Sequence, residues 1–294
     1  MILSEKMFKS YIQLMKPRIT ILVIVTSYLG FYLGIRSMNQ YLFTIEQLFL
    51  LFNLLLGTFL TASGSAVLNQ VIEYEHDAKM KRTKLRPIPS GKISLKNAMY
   101  FGIIISTFGV IYLYIFTNFL TAILSFLTII LYLFVYTPSK RVSTWNTVIG
   151  SIPGAFPPLG GWAASTGNLS APAWILFGIL FFWQIPHFMA IAIIYNKDYK
   201  DGGFKMMPGE YPNSSRTNYH ILFFSIALIG TSIGLYTLKV AGIIYAAGAA
   251  ILGFAFLAVC VNVIYRQNNT NARILLFASI IYLPLLLLLI IFDN

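Results

Sequence analysis

The sequence predicts an all-α integral membrane protein with nine transmembrane helices, on three observations. Of the 294 residues, 57% are hydrophobic and 10% are charged, against about 25% charged in a typical soluble domain. The apolar residues gather into runs of about 20, the length a helix needs to cross a bilayer. Nineteen of the 21 Lys and Arg fall on one side when the runs are threaded back and forth across the bilayer. The short alternating segments of a membrane β-barrel do not occur.

The runs are 19–35, 46–68, 97–116, 119–136, 146–164, 172–194, 219–237, 240–264 and 274–292. Lys6, Lys9, Lys16 and Arg18 precede the first, and seven Lys and Arg from Lys79 to Lys96 follow the second. Lys140 and Arg141 follow the fourth; Lys197, Lys200, Lys205 and Arg216 follow the sixth; Arg266 and Arg273 separate the last two. Only Arg36 and Lys239, of 21 Lys and Arg, lie on the other side. Loops rich in Lys and Arg stay in the cytoplasm, so the N-terminus is expected there, or on the equivalent side of an organelle membrane, with the C-terminus outside. The net charge of +12 therefore belongs to membrane-edge loops and is no nucleic-acid signal. One polytopic membrane domain covers 1–294.

Smaller features refine the elements. The first run follows several charges and lacks a small-residue cleavage site, so it reads as a retained helix. Gly30 and Gly34 have the spacing that lets helices approach closely. Pro153, Pro157 and Pro158 interrupt the fifth run, where freed backbone must be satisfied by protein or water. Trp162 and Trp174 read as interface anchors. Cys260 is the only cysteine, which excludes a disulfide or a Cys-based metal site within one chain. Asp293-Asn294 is a short polar end with no visible signal.

The acids carry the functional signal. Only nine Asp and Glu occur, and six fall in two patches: Glu73, Glu75 and Asp77 after the second run, and Asp198, Asp201 and Glu210 after the sixth. Each patch is followed by bases and a proline, a weak duplicated half-site on the cytoplasmic side. Carboxylates at a membrane edge are expensive, and oxygen ligation of a divalent cation is the role that fits them. Asn69, Glu73 and Asp77 are spaced i, i+4, i+8 and form one strip on a helix. Mg²⁺ commonly takes one or two carboxylates plus waters and phosphate oxygens. With Asp198 opposite, the strip would hold a metal-bridged diphosphate, whose charge Arg82, Arg86 and Lys205 would neutralise. Solvated loops with compensating charge would give a similar composition, but not the regular register or its recurrence.

These residues carry a resemblance. Asn69-x3-Glu73-x3-Asp77-x4-Arg82-Thr83-x2-Arg86-Pro87 resembles the first Asp-rich motif of the UbiA superfamily of intramembrane prenyltransferases. Lys16-Pro17-Arg18, Tyr136-Thr137-Pro138, Trp145-Asn146, Gly160-Gly161-Trp162, Trp183-Gln184-Ile185-Pro186-His187-Phe188 and Lys197-Asp198-Tyr199 extend it over nearly the whole chain. Nine helices is that family's architecture. Within it, Glu73 in place of Asp looks like the haem-farnesylating branch. Relatives acting on quinone precursors usually carry two aspartates four apart in the second motif. Here Ile194 holds the first of those positions, leaving Asp198, with Asp201 on another register.

The resemblance implies a reaction: farnesyl diphosphate alkylates a vinyl group of haem b, water adds, and diphosphate leaves. It implies Mg²⁺ held by Asn69, Glu73, Asp77 and Asp198, with Asp201 as a further candidate. Arg82, Arg86, Lys205, Lys140 and Arg141 would stabilise the leaving group. His187, an imidazole within a span, is the candidate haem contact, set against a histidine that merely bridges helices. Farnesyl diphosphate, haem b and the bilayer are the implied partners, with a haem A synthase or terminal oxidase assembly downstream. Prenyl transfer to an aromatic or quinone precursor is the alternative reaction. A secondary transporter is the alternative class, disfavoured because transport sites lie near the midplane, often between inverted repeats.

Overall fold

The computed structural model describes residues 2–38, 40, 44–212 and 214–293, so that Asn294 of the C-terminal pair lies outside the described residues. Every regular element among them is helical. α1 (Ile2–Leu14) precedes α2 (Pro17–Ser37), with Lys16 between them in the left-handed conformation (φ 49°) and Pro17 opening α2. Proline suits that place because the first N–H groups of a helix lack intrahelical partners. α3 runs from Ile45 to Lys79 without interruption, its first turn capped by the Thr44 side chain. At 1.5 Å per residue its length is about 50 Å, well beyond the ~30 Å hydrocarbon core. The second apolar run and the first acidic patch are therefore one rigid helix.

α4 (Leu95–Phe116) and α5 (Phe119–Ile130) are capped by Ser94 and Asn118, whose side chains accept from Asn97 and Thr121 N–H. α5 continues through a π-helical stretch, Leu131–Tyr136, into α6 (Thr137–Val142). Then follow α7 (Asn146–Gly154), α8 (Phe156–Thr166), α9 (Ala171–Ile194), α10 (Asn196–Asp201), α11 (Met207–Glu210), α12 (Ser215–Thr237), α13 (Ile243–Tyr265) and α14 (Asn269–Phe292). Among the described residues eight helical stretches are long and apolar enough to cross a membrane. The predicted fifth span is the exception, being divided into α7 and α8 at Ala155. Pro157 and Pro158 fall in the first turn of α8, where their missing N–H groups cost nothing.

The chain forms two compact units. The first comprises Met1–Pro138, Phe156–Leu169 and Asp201–Gly203. One core cluster joins Phe31, Ile35, Leu54, Leu113, Ala122 and Ala164, and another joins Leu14, Val67, Ile88, Ile93 and Ala98. A Cβ on Gly30 would overlap the Pro158 backbone, so the predicted close approach at Gly30 is that of α2 to α8. Trp162, expected at the interface, is instead 1% exposed. It lies four residues before the end of α8, on the face of that helix that packs inward with Pro158, Leu159 and Gly161.

The second unit comprises Ser139–Ala155, Ser170–Lys200 and Phe204–Asn294. Ser232, Tyr245 and Tyr282 link α12, α13 and α14: Tyr245 Oη donates to Ser232 O at 2.8 Å, and Ser232 Oγ lies 3.2 Å from Tyr282 Oη. Buried hydroxyls and carbonyls are thereby satisfied where no water would serve them. In both units large apolar side chains remain exposed along the spans, among them Ile21, Leu22, Phe108, Ile251, Phe254 and Phe277. That is the surface a lipid-embedded protein needs.

Candidate active site

The predicted strip is present on α3. Asn69, Glu73 and Asp77 are 1%, 3% and 1% exposed, whereas Glu75, off the register, points outward. Asn69 organises the upper part. Its Nδ2 donates to Glu73 Oε2 at 3.0 Å and to Thr137 Oγ1 at 3.2 Å. Thr137 Oγ1 in turn donates to Tyr132 O across the π-helical stretch. Asn69 Oδ1 accepts from Lys16 Nζ at 3.0 Å. Lys16 is held near the strip because Gln70 Nε2 donates to Leu14 O at 2.7 Å.

Asp77 closes the strip. Arg86 Nη1 lies 2.7 Å from Asp77 Oδ2, and Thr83 Oγ1 donates to Asp77 O at 2.8 Å. The Arg-Thr-x2-Arg-Pro segment thus folds back on the helix end, with Thr83 buried and Arg82 exposed on the turn. His76, one residue before Asp77, has Nδ1 2.6 Å from Gly202 O. A carbonyl cannot donate, so His76 Nδ1–H does. The adjoining Gly203 has φ 74°, a conformation glycine adopts without strain. The Asp201–Gly203 segment of the second patch is thereby fastened beside the first, within one unit.

The second patch is not a continuation of α9. That helix ends at Ile194, and Asp198 and Asp201 stand three residues apart in the separate one-and-a-half-turn helix α10. Asp198 is half-buried and Asp201 exposed. In the second unit Lys205 N–H donates to Lys140 O at 2.7 Å, while buried Asn146 donates its Nδ2 to Ser143 O and Lys205 O at 2.6 and 2.8 Å. Lys140 Nζ lies 5.7 Å from the centre of the Phe204 ring. The backbone thus gathers Lys140, Arg141 and Lys205, three of the predicted diphosphate contacts.

The Trp-Gln-Ile-Pro-His-Phe stretch is a hub of the second unit. Trp183 Nε1–H donates to Ser279 O at 2.8 Å, and His187 Nδ1 is 2.7 Å from Ser279 Oγ. Gln184 Nε2 donates to Leu180 O and, at 3.4 Å, to Ser151 O of α7. His187 is half-buried and does bridge two helices. His220 is half-buried in the second turn of α12, edge-on to Trp145 at 5.0 Å.

No group of three or more His, Cys, Asp and Glu is assembled for a metal among the described residues. The strip therefore offers two carboxylates and an amide, not an all-protein cage. That donor set suits Mg²⁺, which keeps waters and takes substrate phosphate oxygens. Cations already lie against it at Asn69 and Asp77, so the strip attracts positive charge.

The profile described as the UbiA prenyltransferase family matches residues 21–281. The chain belongs to that family. A protoheme IX farnesyltransferase of Solibacter usitatus is 40% identical over 288 residues, covering 97% of this chain and 99% of the relative. One of Opitutus terrae is 40% identical over 292 residues, covering 99% and 96%. Among solved structures, a digeranylgeranylglyceryl phosphate synthase aligns with TM-score 0.80 at 20% identity over 98% of each chain. A UbiA homologue from Archaeoglobus fulgidus, bound to GPP and Mg²⁺, aligns with TM-score 0.69 at 13% identity over 96% and 99%. This UbiA-family protein is thus a multi-pass membrane prenyltransferase with that family's all-helical fold. Lys16 and Thr137 join its candidate site residues; both sit in stretches of the sequence that bear the family resemblance, but only the fold shows that they reach Asn69.

Proposed function

We propose that the protein transfers a farnesyl group from farnesyl diphosphate to a vinyl group of haem b, with addition of water, giving haem o and diphosphate. The observation that carries the prenyl-transfer chemistry is the strip of two buried carboxylates, Glu73 and Asp77, in line with Asn69 on one face of α3. Buried carboxylates at a membrane edge are tolerated when cations complete them. Asn69, Glu73 and Asp77, with Asp198 and Asp201 from the second patch, are the proposed Mg²⁺ ligands. The ion would supply Lewis-acid stabilisation of the departing diphosphate oxygens. Arg82, Arg86, Lys140, Arg141 and Lys205 add fixed positive charge where the leaving group develops its own. The haem vinyl is the nucleophile, so no Ser or Cys is required. His187 is the proposed haem contact. The choice of haem b and farnesyl rests on the relatives named for it. The N-terminus is assigned to the cytoplasmic side by the charge asymmetry, and the product would pass to a haem A synthase or terminal oxidase.

The test is the product mass. Purified protein in nanodiscs receives farnesyl diphosphate, Mg²⁺ and haem b, with 4-hydroxybenzoate in competition. Haem o with released diphosphate is expected. Prenylated hydroxybenzoate with unmodified haem would overturn the substrate assignment.

A further inference from the structure

Ser279 of α14 engages two rings of α9 at once: its carbonyl accepts from Trp183, and its hydroxyl faces His187 Nδ1 at 2.7 Å. The same hydroxyl oxygen lies 2.6 Å from Leu276 O. A serine hydroxyl has one proton to give and a carbonyl has none. Were that proton directed at His187, two oxygen lone pairs would face each other at 2.6 Å with no hydrogen between them. The proton therefore lies toward Leu276 O, and Ser279 Oγ accepts from His187 Nδ1–H. In the neutral ring Nε2 then carries the lone pair. Ring orientation is fixed as well. Trp183 stacks on the imidazole at 4.9 Å and 22°, and Phe188 meets it edge-on at 5.5 Å. No side chain or carbonyl among the described residues bonds Nε2.

We propose that Ser279 is a positioning residue that locks His187 in its Nδ1–H form, so that α9 presents the Nε2 lone pair to the iron of bound haem. The ligand half of this inference rests on the haem reading above. Metal-bound histidines commonly donate their other N–H to a fixed acceptor, which sets the tautomer and raises basicity. Ser279 is placed to be that acceptor, and it is fully buried.

The tautomer can be read without haem. The chain has three histidines, so ¹⁵N-histidine spectra of the full protein in nanodiscs, compared with His187→Gln, isolate the His187 signals. Protonated Nδ1 and bare Nε2 are expected in the wild type, a shift toward Nε2–H in Ser279→Ala, and retention in Ser279→Thr. Ferric haem b, titrated without farnesyl diphosphate, should give an imidazole-ligated optical and EPR spectrum that His187→Ala abolishes. Ser279→Ala should weaken haem binding about 10-fold or more, and Ser279→Thr should bind like the wild type. An Nε2–H ring in the wild type overturns the lock. An unchanged haem spectrum in His187→Ala overturns the ligand role. A wild type that carries the expected tautomer yet binds no haem overturns the haem reading and the ligand role with it, leaving the lock.

Discussion

Arg86 Nη1 stands 2.7 Å from Asp77 Oδ2, and the carboxylate is 1% exposed. The guanidinium is part-exposed, so the pair joins a buried anion to a cation that can move toward solvent. Arg86→Ala would leave the anion uncompensated, which for a buried pair costs about 3–5 kcal/mol; partial exposure of Arg86 favours the low end. A fall in melting temperature in detergent is expected, reversed in part by Mg²⁺ with farnesyl diphosphate, since a ligand that binds only the folded state stabilises it. A melting temperature equal to the wild type's would show the pair to be dispensable. Asp77→Asn keeps the volume and removes the charge; it should lower kcat by about 10²–10³ if the carboxylate stabilises the transition state through the metal.

Lys16 reaches the strip from a left-handed linker residue, a conformation that costs a non-glycine side chain about 1–2 kcal/mol. Its ammonium contact with Asn69 Oδ1 offsets that cost. Lys16→Met retains most of the apolar stem and removes the charge. Loss of one charge-assisted hydrogen bond, about 1.5–3 kcal/mol, should lower kcat/KM for the prenyl diphosphate roughly 10- to 100-fold. The affinity for haem, measured optically, should not change. Equal losses with haem and with the prenyl diphosphate would point to a collapsed strip.

His76 fastens Gly202 to the end of α3 through one side-chain bond. His76→Ala should free residues 201–205 without disturbing the spans. Hydrogen exchange in that segment should quicken, and KM for the prenyl diphosphate should rise by more than kcat falls. Unaltered exchange at 201–205 would exclude the anchoring role.

Much of this was legible in the sequence because membrane helices obey simple rules. Span positions follow from apolar length, and the Asn69, Glu73 and Asp77 strip follows from helical spacing alone. What could not be read is whatever depends on partners distant in the chain. Trp162 looked like an interface residue because it falls near the end of an apolar run; which face of α8 packs inward depends on neighbours far away in the chain, and Trp162 is on that face. Spacing placed Ile194 and Asp198 on one helical register, yet α9 stops at Ile194 and Asp198 lies in the next helix, which starts at Asn196. Ser279 gave no signal, since a serine in an apolar span has no periodic signature. Its role appears only where α14 meets Trp183 and His187.

Asp293 also gained a role through a distant partner. Its Oδ2 accepts from Tyr245 N–H at 2.5 Å, and the residue is 8% exposed. Tyr245 is the third residue of α13, whose N-cap position is Gly242, a residue with no side chain to cap with. The first N–H groups of a helix lack intrahelical acceptors, and a carboxylate there also meets the positive end of the helix dipole. Asp293 thus supplies from the end of α14 the cap that α13 lacks. Asp293→Ala should cost about 0.5–2 kcal/mol, the usual range for a lost cap, read as a lower melting temperature with product formation per folded molecule unchanged. Asp293→Asn, which keeps an acceptor oxygen but not the charge, should fall between the two. Gly242→Ala should destabilise as well, because its Cβ would press on the Asp293 carboxylate. If combining Gly242→Ala with Asp293→Ala costs as much as the two separate losses together, the residues are not coupled and the added Cβ does not act through the Asp293 carboxylate.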